Sequence, residues 1–256
     1  RIYDRRNLNF LSIKNLITIK RPLKSGLFCL SASAALPGES GGAKCTQALF
    51  LLFSGLELKL VGEPRETVLI TGASSGIGAA LAFVCASSGY DLVLVARSAD
   101  KLTAMAATLS TEYGVYVTAR PCDLAVPGNV QKLCDSLQAD GLQVDILVNN
   151  AAAVYDELNA PGNFWQKPLK LGDMIDVGVR SSYVASWLAA PIMVEQNHGL
   201  IIFTSASGAA HYSMGPAYGA HKAGMDKMAF DMAIDFRDAE TKVAALSIWM
   251  GALATD

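Results

Sequence analysis

From Thr67 onward the chain alternates short apolar runs with longer stretches of mixed polarity. Short apolar runs bounded by turn residues suit strands buried on both faces, and the stretches between them are long enough for helices. Strands are predicted at Thr67–Thr71, Asp91–Ala96, Val115–Arg120, Val144–Val148, Gly199–Thr204 and Val243–Ile248. Helices are predicted near Gly76–Ser88, Asp100–Glu112, Pro127–Ala139, Leu171–Gln196 and Ala217–Arg237. This alternation is the mark of βαβ units. With right-handed crossovers it gives an α/β fold, a doubly wound parallel sheet in three αβα layers, whose switch point lies beside the first strand.

Residues 1–66 stand outside that pattern and are set apart as an N-terminal extension, leaving 67–256 as the folded unit. Residues 1–44 carry eight Lys/Arg against Asp4 and Glu39, a net of +6, while the remainder carries −8, which yields the −2 of the whole chain. The segment also holds the small-residue stretches Ser31-Ala32-Ser33 and Gly38-Glu39-Ser40-Gly41-Gly42. A mitochondrial or plastid presequence has this composition, and so does an upstream piece of an imperfect gene model. The basic residues belong to no recognisable nucleic-acid module, so no nucleic-acid partner is expected.

Composition narrows the class. Hydrophobic residues make up 52% of the 256 and charged residues 17%, which excludes disorder for the whole chain. The apolar run Ala48 to Phe53 breaks at Ser54-Gly55 and is followed by Glu57, too short to span a bilayer. Cys29, Cys45, Cys85, Cys122 and Cys134 form no Cys-x-x-Cys pair, and no histidine cluster accompanies them. Neither a disulfide scaffold nor a metal site is expected, and the cytoplasm is the expected compartment unless residues 1–44 are a presequence.

Thr71-Gly72-Ala73-Ser74-Ser75-Gly76-Ile77-Gly78 follows the first strand and opens the first helix. Gly72 lets the chain turn sharply, Gly76 lets backbone approach a pyrophosphate, and Gly78 permits close helix packing. The helix N-terminus then faces the phosphate charge, as in a Rossmann-type dinucleotide site. The second strand ends Val95-Ala96-Arg97-Ser98, with no carboxylate for a free ribose 2′-hydroxyl. Arg97 can instead pair with a 2′-phosphate, helped by Ser75 or Ser98, which favours NADP(H). A solvated arginine opening the next helix is the plainer alternative.

Tyr218 and Lys222, in Tyr218-Gly219-Ala220-His221-Lys222, stand one helical turn apart and share a face. An ammonium near the phenol is expected to stabilise the phenolate and lower a pKa ordinarily about 10. Ser205 ends the apolar run before them. Together the glycine loop, Ser205, Tyr218 and Lys222 resemble the short-chain dehydrogenase/reductase family. Asn150-Ala151, Phe164-Trp165, Val177-Gly178-Val179-Arg180, Tyr218-Gly219 and Lys222-Ala223 look most like its dehydrogenase/reductase member 1 branch.

The resemblance implies an NADP-dependent oxidoreductase that interconverts a carbonyl and an alcohol. Tyr218 would be the general acid/base, Lys222 would depress its pKa and hold the nicotinamide ribose, and Ser205 would bond the substrate oxygen. Ser74, Ser75 and Ile77 would join the glycines at the phosphates. Asp123 would contact the adenine, Asn149 would brace the sheet, Asn150 would lie at the ribose and Thr255 would touch the carboxamide. A helix cap at Asp123 and turn formers at the asparagines are the plain alternatives. Tyr155, Phe164, Trp165, Tyr212 and Met214 suggest a largely apolar pocket for a small-molecule substrate.

Three departures from the family pattern stand out. Gly178 occupies the position where most relatives carry an asparagine that helps relay protons through water to the lysine. Met250-Gly251 replaces a Pro-Gly. The chain stops at Asp256, before the last strand and substrate lid that relatives have, so an exposed sheet edge and association into a homo-oligomer are expected. A catalytically silent nucleotide-binding protein, or a fragment, is the alternative function.

Overall fold

The computed structural model describes residues 65–126 and 128–250. The N-terminal extension up to residue 64, Pro127, Gly251 and Thr255 lie outside the described residues. Six parallel strands form one sheet: β1 Thr67–Thr71, β2 Asp91–Ala96, β3 Val117–Pro121, β4 Ile146–Asn149, β5 Gly199–Ser205 and β6 Val243–Trp249. Their spatial order is β3-β2-β1-β4-β5-β6, so β3 and β6 are the outer strands among the described residues. The helices are α1 Gly76–Ser87, α2 Ala99–Tyr113, α3 Asn129–Ala139, α4 Ser181–Gln196 and α5 Pro216–Asp238.

Side chains alternate along each strand and so divide the core in two. Val68, Ile70, Leu92 and Leu94 pack on one face with Leu81 and Val84 of α1 and Leu102 and Leu109 of α2. Leu69, Val93, Val95 and Leu147 pack on the other with Leu133 of α3, Met193 of α4 and Met225 of α5. Burying each such side chain stabilises the fold by about 1.5–3 kcal/mol, and the parallel sheet needs both layers because both its faces are apolar. The three-layer α/β reading of the sequence is therefore the observed architecture.

Two strand starts differ from expectation. Tyr116 lies ahead of β3, its N–H donating to Asp91 Oδ1 (2.8 Å) and its carbonyl accepting from Leu92 N (2.8 Å). Before β4, Asp145 Oδ2 accepts from Thr67 N (2.8 Å), and this cap holds the start of β1. The expected single helix over Leu171–Gln196 is resolved into a 3₁₀ turn at Leu169–Gly172, a π-helical turn at Ile175–Arg180 and α4. Ser181 Oγ donates back to Val177 O (2.5 Å), which supplies a partner where the widened turn shifts the backbone ladder.

Strand order reverses between β1 and β4, and their following loops diverge to open a crevice. One network ties the two strand ends together. Thr71 Oγ1 donates to Val148 O (3.2 Å) and accepts from Asn150 N (2.9 Å) and Ala151 N (3.0 Å). Asn150 Nδ2 returns a bond to Thr71 O (2.9 Å). Backbones meet so closely here that a Cβ on Gly78 would stand 2.2 Å from Gly72 O and 2.7 Å from Asn150 Nδ2. Gly78→Ala is therefore expected to destabilise the fold by about 1–3 kcal/mol, the cost of overpacking a site with no room to relax. Urea unfolding of the two proteins checks this, and equal stability would show that the crossing is looser than described.

Candidate active site

At the crevice, Gly72 turns the chain with φ +68° and Gly76 opens α1 with φ +53°, both left-handed conformations that suit glycine. Ala73 N donates to Val95 O (3.1 Å), pinning the loop to β2. Ser75 is the N-cap of α1 in extended conformation, and its side chain makes no capping bond. The first N–H groups of α1 therefore converge on the crevice with the positive end of the helix dipole behind them. Ser74 is partly buried in the loop and Ser75 is exposed, while Ile77 turns into the core. The arrangement has the makings of an anion cradle, held against the strand ends by Gly72 and Gly78, where added Cβ atoms would strike the Ala151 backbone, Gly72 O and Asn150 Nδ2.

On the other side of the crevice, β5 and α5 bring Ser205, Tyr218 and Lys222 together. Pro216 starts α5 at its first turn, where a missing N–H costs nothing. Gly208 backs the phenol, since a Cβ there would lie 2.5 Å from Tyr218 Cε1. Lys222 is buried, its Nζ donating to Thr204 O (2.9 Å) and standing 5.8 Å from the centre of the Tyr218 ring. Ser205 Oγ donates to Lys222 O (3.2 Å), so its proton is committed to α5 in this conformation. A small cluster of Leu158, Leu171 and Met174 packs against Tyr155, Ala217 and Tyr218, walling the phenol on its apolar side.

The electrostatics of this pair differ from the expectation. Burial pushes the Tyr218 phenol up rather than down. The ammonium is turned onto Thr204 O, so desolvation of the phenolate outweighs its attraction. Burial also holds Lys222 down to about 8, against the pull of Asp226 in the opposite direction. Asp226 sits one turn further along α5, and its Oδ2 accepts from Trp249 Nε1 (2.7 Å).

Other predicted site residues divide. Asn149 Nδ2 donates to Ser186 Oγ (3.0 Å) and ties β4 to α4, the bracing role expected of it. Asn150 reaches both β1 and β5, accepting from Thr204 Oγ1 at 3.4 Å. Asp123 makes a local turn, its Oδ1 accepting from Ala125 N (3.0 Å). Arg97 is exposed at the end of β2, and no carboxylate among the described residues pairs with it. The expected aromatic set is spread over the loops around the phenol. Tyr155 Oη donates to Asp173 Oδ2 (2.6 Å), while Phe164, Trp165, Tyr212 and Met214 are exposed, Phe164 and Trp165 in edge contact. Among the described residues no group of His, Cys, Asp or Glu could hold a metal ion, and no helix is long and apolar enough to cross a membrane.

The model of the family described as short chain dehydrogenase matches residues 66–256. The chain belongs to the short-chain dehydrogenase family. It is 32% identical over 195 residues to human "Dehydrogenase/reductase SDR family member 1", a match covering 75% of this chain and 61% of that protein. That similarity supports the branch indicated by Gly178 and its neighbours. The chain thus spans less than two thirds of the length of the human and mouse proteins it matches. Among solved structures it is similar to a short-chain dehydrogenase from Sphingobium yanoikuyae in complex with NADPH (32% identity, TM-score 0.66, 74% of this chain and 72% of that one). It is likewise similar to a metagenomic short-chain oxidoreductase in complex with NADP (30% identity, TM-score 0.63, 72% and 80%).

Sequence reasoning about this short-chain dehydrogenase passed over Thr71, Thr204 and Asp226. Asp226 carried a signal, since a carboxylate four residues after Lys222 shares its helical face. Thr71 and Thr204 act through contacts between distant strands, which spacing does not display. A further consequence concerns stability. An unfolded lysine keeps its proton to a pKa of about 10.4, whereas folded Lys222 releases it near 8, so the unfolded state binds more protons in that window. Stability from this group therefore rises as pH rises through the folded value. Lys222→Met should stabilise the protein at pH 7 by on the order of 2 kcal/mol and flatten the rise above pH 8. Thermal unfolding at neutral and alkaline pH checks it; a variant no more stable at pH 7 would mean that the ammonium is not penalised by burial.

Proposed function

We propose that this protein is an NADP-dependent oxidoreductase that interconverts a carbonyl and an alcohol. The observation carrying the reading is the meeting, in one crevice, of an anion cradle at the start of α1 with Ser205, Tyr218 and Lys222 on β5 and α5. The cradle would suit a dinucleotide: Gly76, at φ +53°, brings bare backbone to the start of α1 where a pyrophosphate would lie, and the α1 N-terminus offers N–H donors. Gly72, Ser74, Ser75, Gly76, Ile77 and Gly78 would hold the phosphates. Arg97 would take a 2′-phosphate, Asp123 the adenine, Asn150, Tyr218 and Lys222 the nicotinamide ribose, and Thr255 the carboxamide. Bound there, a nicotinamide supplies or accepts the hydride.

The chain's own residues handle the proton. Tyr218 Oη gives a proton to the carbonyl oxygen in reduction and takes one from the alcohol in oxidation. Ser205, after its hydroxyl rotates away from Lys222 O, donates to the same oxygen as charge gathers on it. The Lys222 ammonium favours the tyrosinate once it swings from Thr204 O toward the phenol. The similarity to structures holding NADPH and NADP supports the choice of cofactor, as does the absence of a carboxylate at the end of β2. Exposed Tyr183 and Trp187, one turn apart on α4, support a homo-oligomer buried along that helix. A strictly monomeric protein by light scattering would remove that last element.

Tyr218→Phe should bind NADPH as before and lose carbonyl reduction, assayed on a panel of aldehydes, diketones and quinones. Substantial turnover by that variant would take Tyr218 out of the acid/base role. NADPH should bind more tightly than NADH, and Arg97→Ala should erase about 1–3 kcal/mol of the difference, the worth of one charge-assisted contact. Equal affinities in the unmodified protein would refute the NADP assignment.

A further inference from the structure

Gly178 and His221 form a matched pair. An ideal Cβ on Gly178 would stand 2.3 Å from His221 Nε2, 2.3 Å from Cδ2 and 2.7 Å from Cε1. The imidazole therefore occupies the volume that any side chain at position 178 would need. His221 is fully buried, and neither Nδ1 nor Nε2 has a hydrogen-bond partner in the protein. Buried polar groups without partners are rare, because the group loses its bonds to water and gains none. A neutral imidazole carries one donor and one acceptor on nitrogens that point apart, so each calls for a small partner of its own that can donate or accept. Water can do either.

The surroundings give that water a destination. His221 is next in sequence to Lys222, whose buried ammonium donates to Thr204 O and stands 5.8 Å from the centre of the Tyr218 ring. Gly178 lies in the π-helical turn Ile175–Arg180, where the backbone widens beside α5. The position is the one where an asparagine was expected to relay protons.

We propose that His221, seated against the bare backbone of Gly178, holds a buried water through which Lys222 and Tyr218 draw protons from solvent. His221 is then a positioning residue for the oxidoreductase reaction, and the inference rests on that reading of the function. In reduction, each hydride added at carbon requires one proton at oxygen. Tyr218 Oη loses that proton to the new alcohol and becomes tyrosinate. The water passes a proton by way of the Lys222 ammonium to Tyr218 Oη and takes one back from solvent, so phenol, ammonium and water are all restored. The imidazole keeps its own proton throughout. Burial, with the nearby Lys222 charge, holds its pKa down to about 3, so it stays neutral across the working range and keeps one nitrogen that accepts from the water.

The chain has three histidines, so the His221 ring resonances are assigned by comparison with His221→Phe. In the unmodified full-length protein, nuclear Overhauser spectroscopy should show a contact between the His221 ring and a bound water; a dry ring overturns the proposal. His221→Phe keeps a flat ring, somewhat larger than imidazole, and removes both nitrogens. It should lower kcat by about tenfold or more while leaving the NADPH Kd nearly unchanged. The double change Gly178→Asn with His221→Ser replaces the imidazole by an amide from the opposite helix and should restore most of kcat. An active wild type whose Phe variant turns over equally fast overturns the relay alone. A wild type that reduces no carbonyl on the panel overturns the function and the relay together, and the ring–water contact then still reports whether His221 holds solvent.

Discussion

The site depends on how closely two backbones pass at the switch point. Thr71 at the end of β1 exchanges three hydrogen bonds with Asn150 and Ala151 just past β4, through its Oγ1 and carbonyl, the Asn150 Nδ2 and two backbone N–H groups. Each bond contributes only about 1 kcal/mol net, but the groups are buried, so losing one partner strands the others. Gly78 must lack a side chain for this crossing to close, and Gly72 must turn left-handed for the chain to leave it. The cradle is therefore not a loop laid on a finished sheet. It is the way the sheet's two halves are joined, and the same contacts that hold β1 to β4 aim the N-terminus of α1 into the crevice.

Lys222 expresses the opposite economy. Burying an ammonium that bonds one carbonyl, with a carboxylate one turn away, costs stability at neutral pH. Met or Leu would fill the volume without that penalty. A group that weakens the fold and still lies beside a tyrosine, a serine and an anion cradle is better explained by chemistry than by packing. Tyr218 follows the same logic, since its phenol is pushed up by burial and would ionise only with help from a neighbouring cation.

Much of the fold was legible because its sheet is buried on both faces. Apolar runs such as Leu92 to Ala96 can serve only as inner parallel strands, and the glycine loop marks where the first of them ends. Strand starts were less legible, since Asp91 and Asp145 set them through side-chain bonds to residues distant in sequence. Tyr218 and Lys222 were legible because one helical turn brings them together. The direction of their electrostatic shifts was not, because it turns on which acceptor the ammonium faces and how much water reaches the phenol. At Asp123 the motif marks a place in the chain but not the local bond, in which its Oδ1 accepts from Ala125 N in a turn.

The two halves of the crevice were unequally readable for a physical reason. The nucleotide half is built from backbone groups and short side chains at strand ends, where covalent geometry allows few solutions and sequence spacing records them. The substrate half is built from Tyr155 to Leu171 and His211 to Gly215, short turns whose side chains answer to their immediate neighbours. Tyr155 there bonds Asp173 and stacks beneath Lys170, with the ammonium 4.8 Å from the ring centre, while Phe164 and Trp165 face outward. A reading from residue type alone counts these aromatics as pocket lining. The structure adds their exposure and the polar partners of Tyr155, and it sets Leu158, Leu171 and Met174 in apolar contact with Tyr218. The shape of the approach to the phenol accordingly follows from how those three residues pack among turns, a property that no local motif encodes.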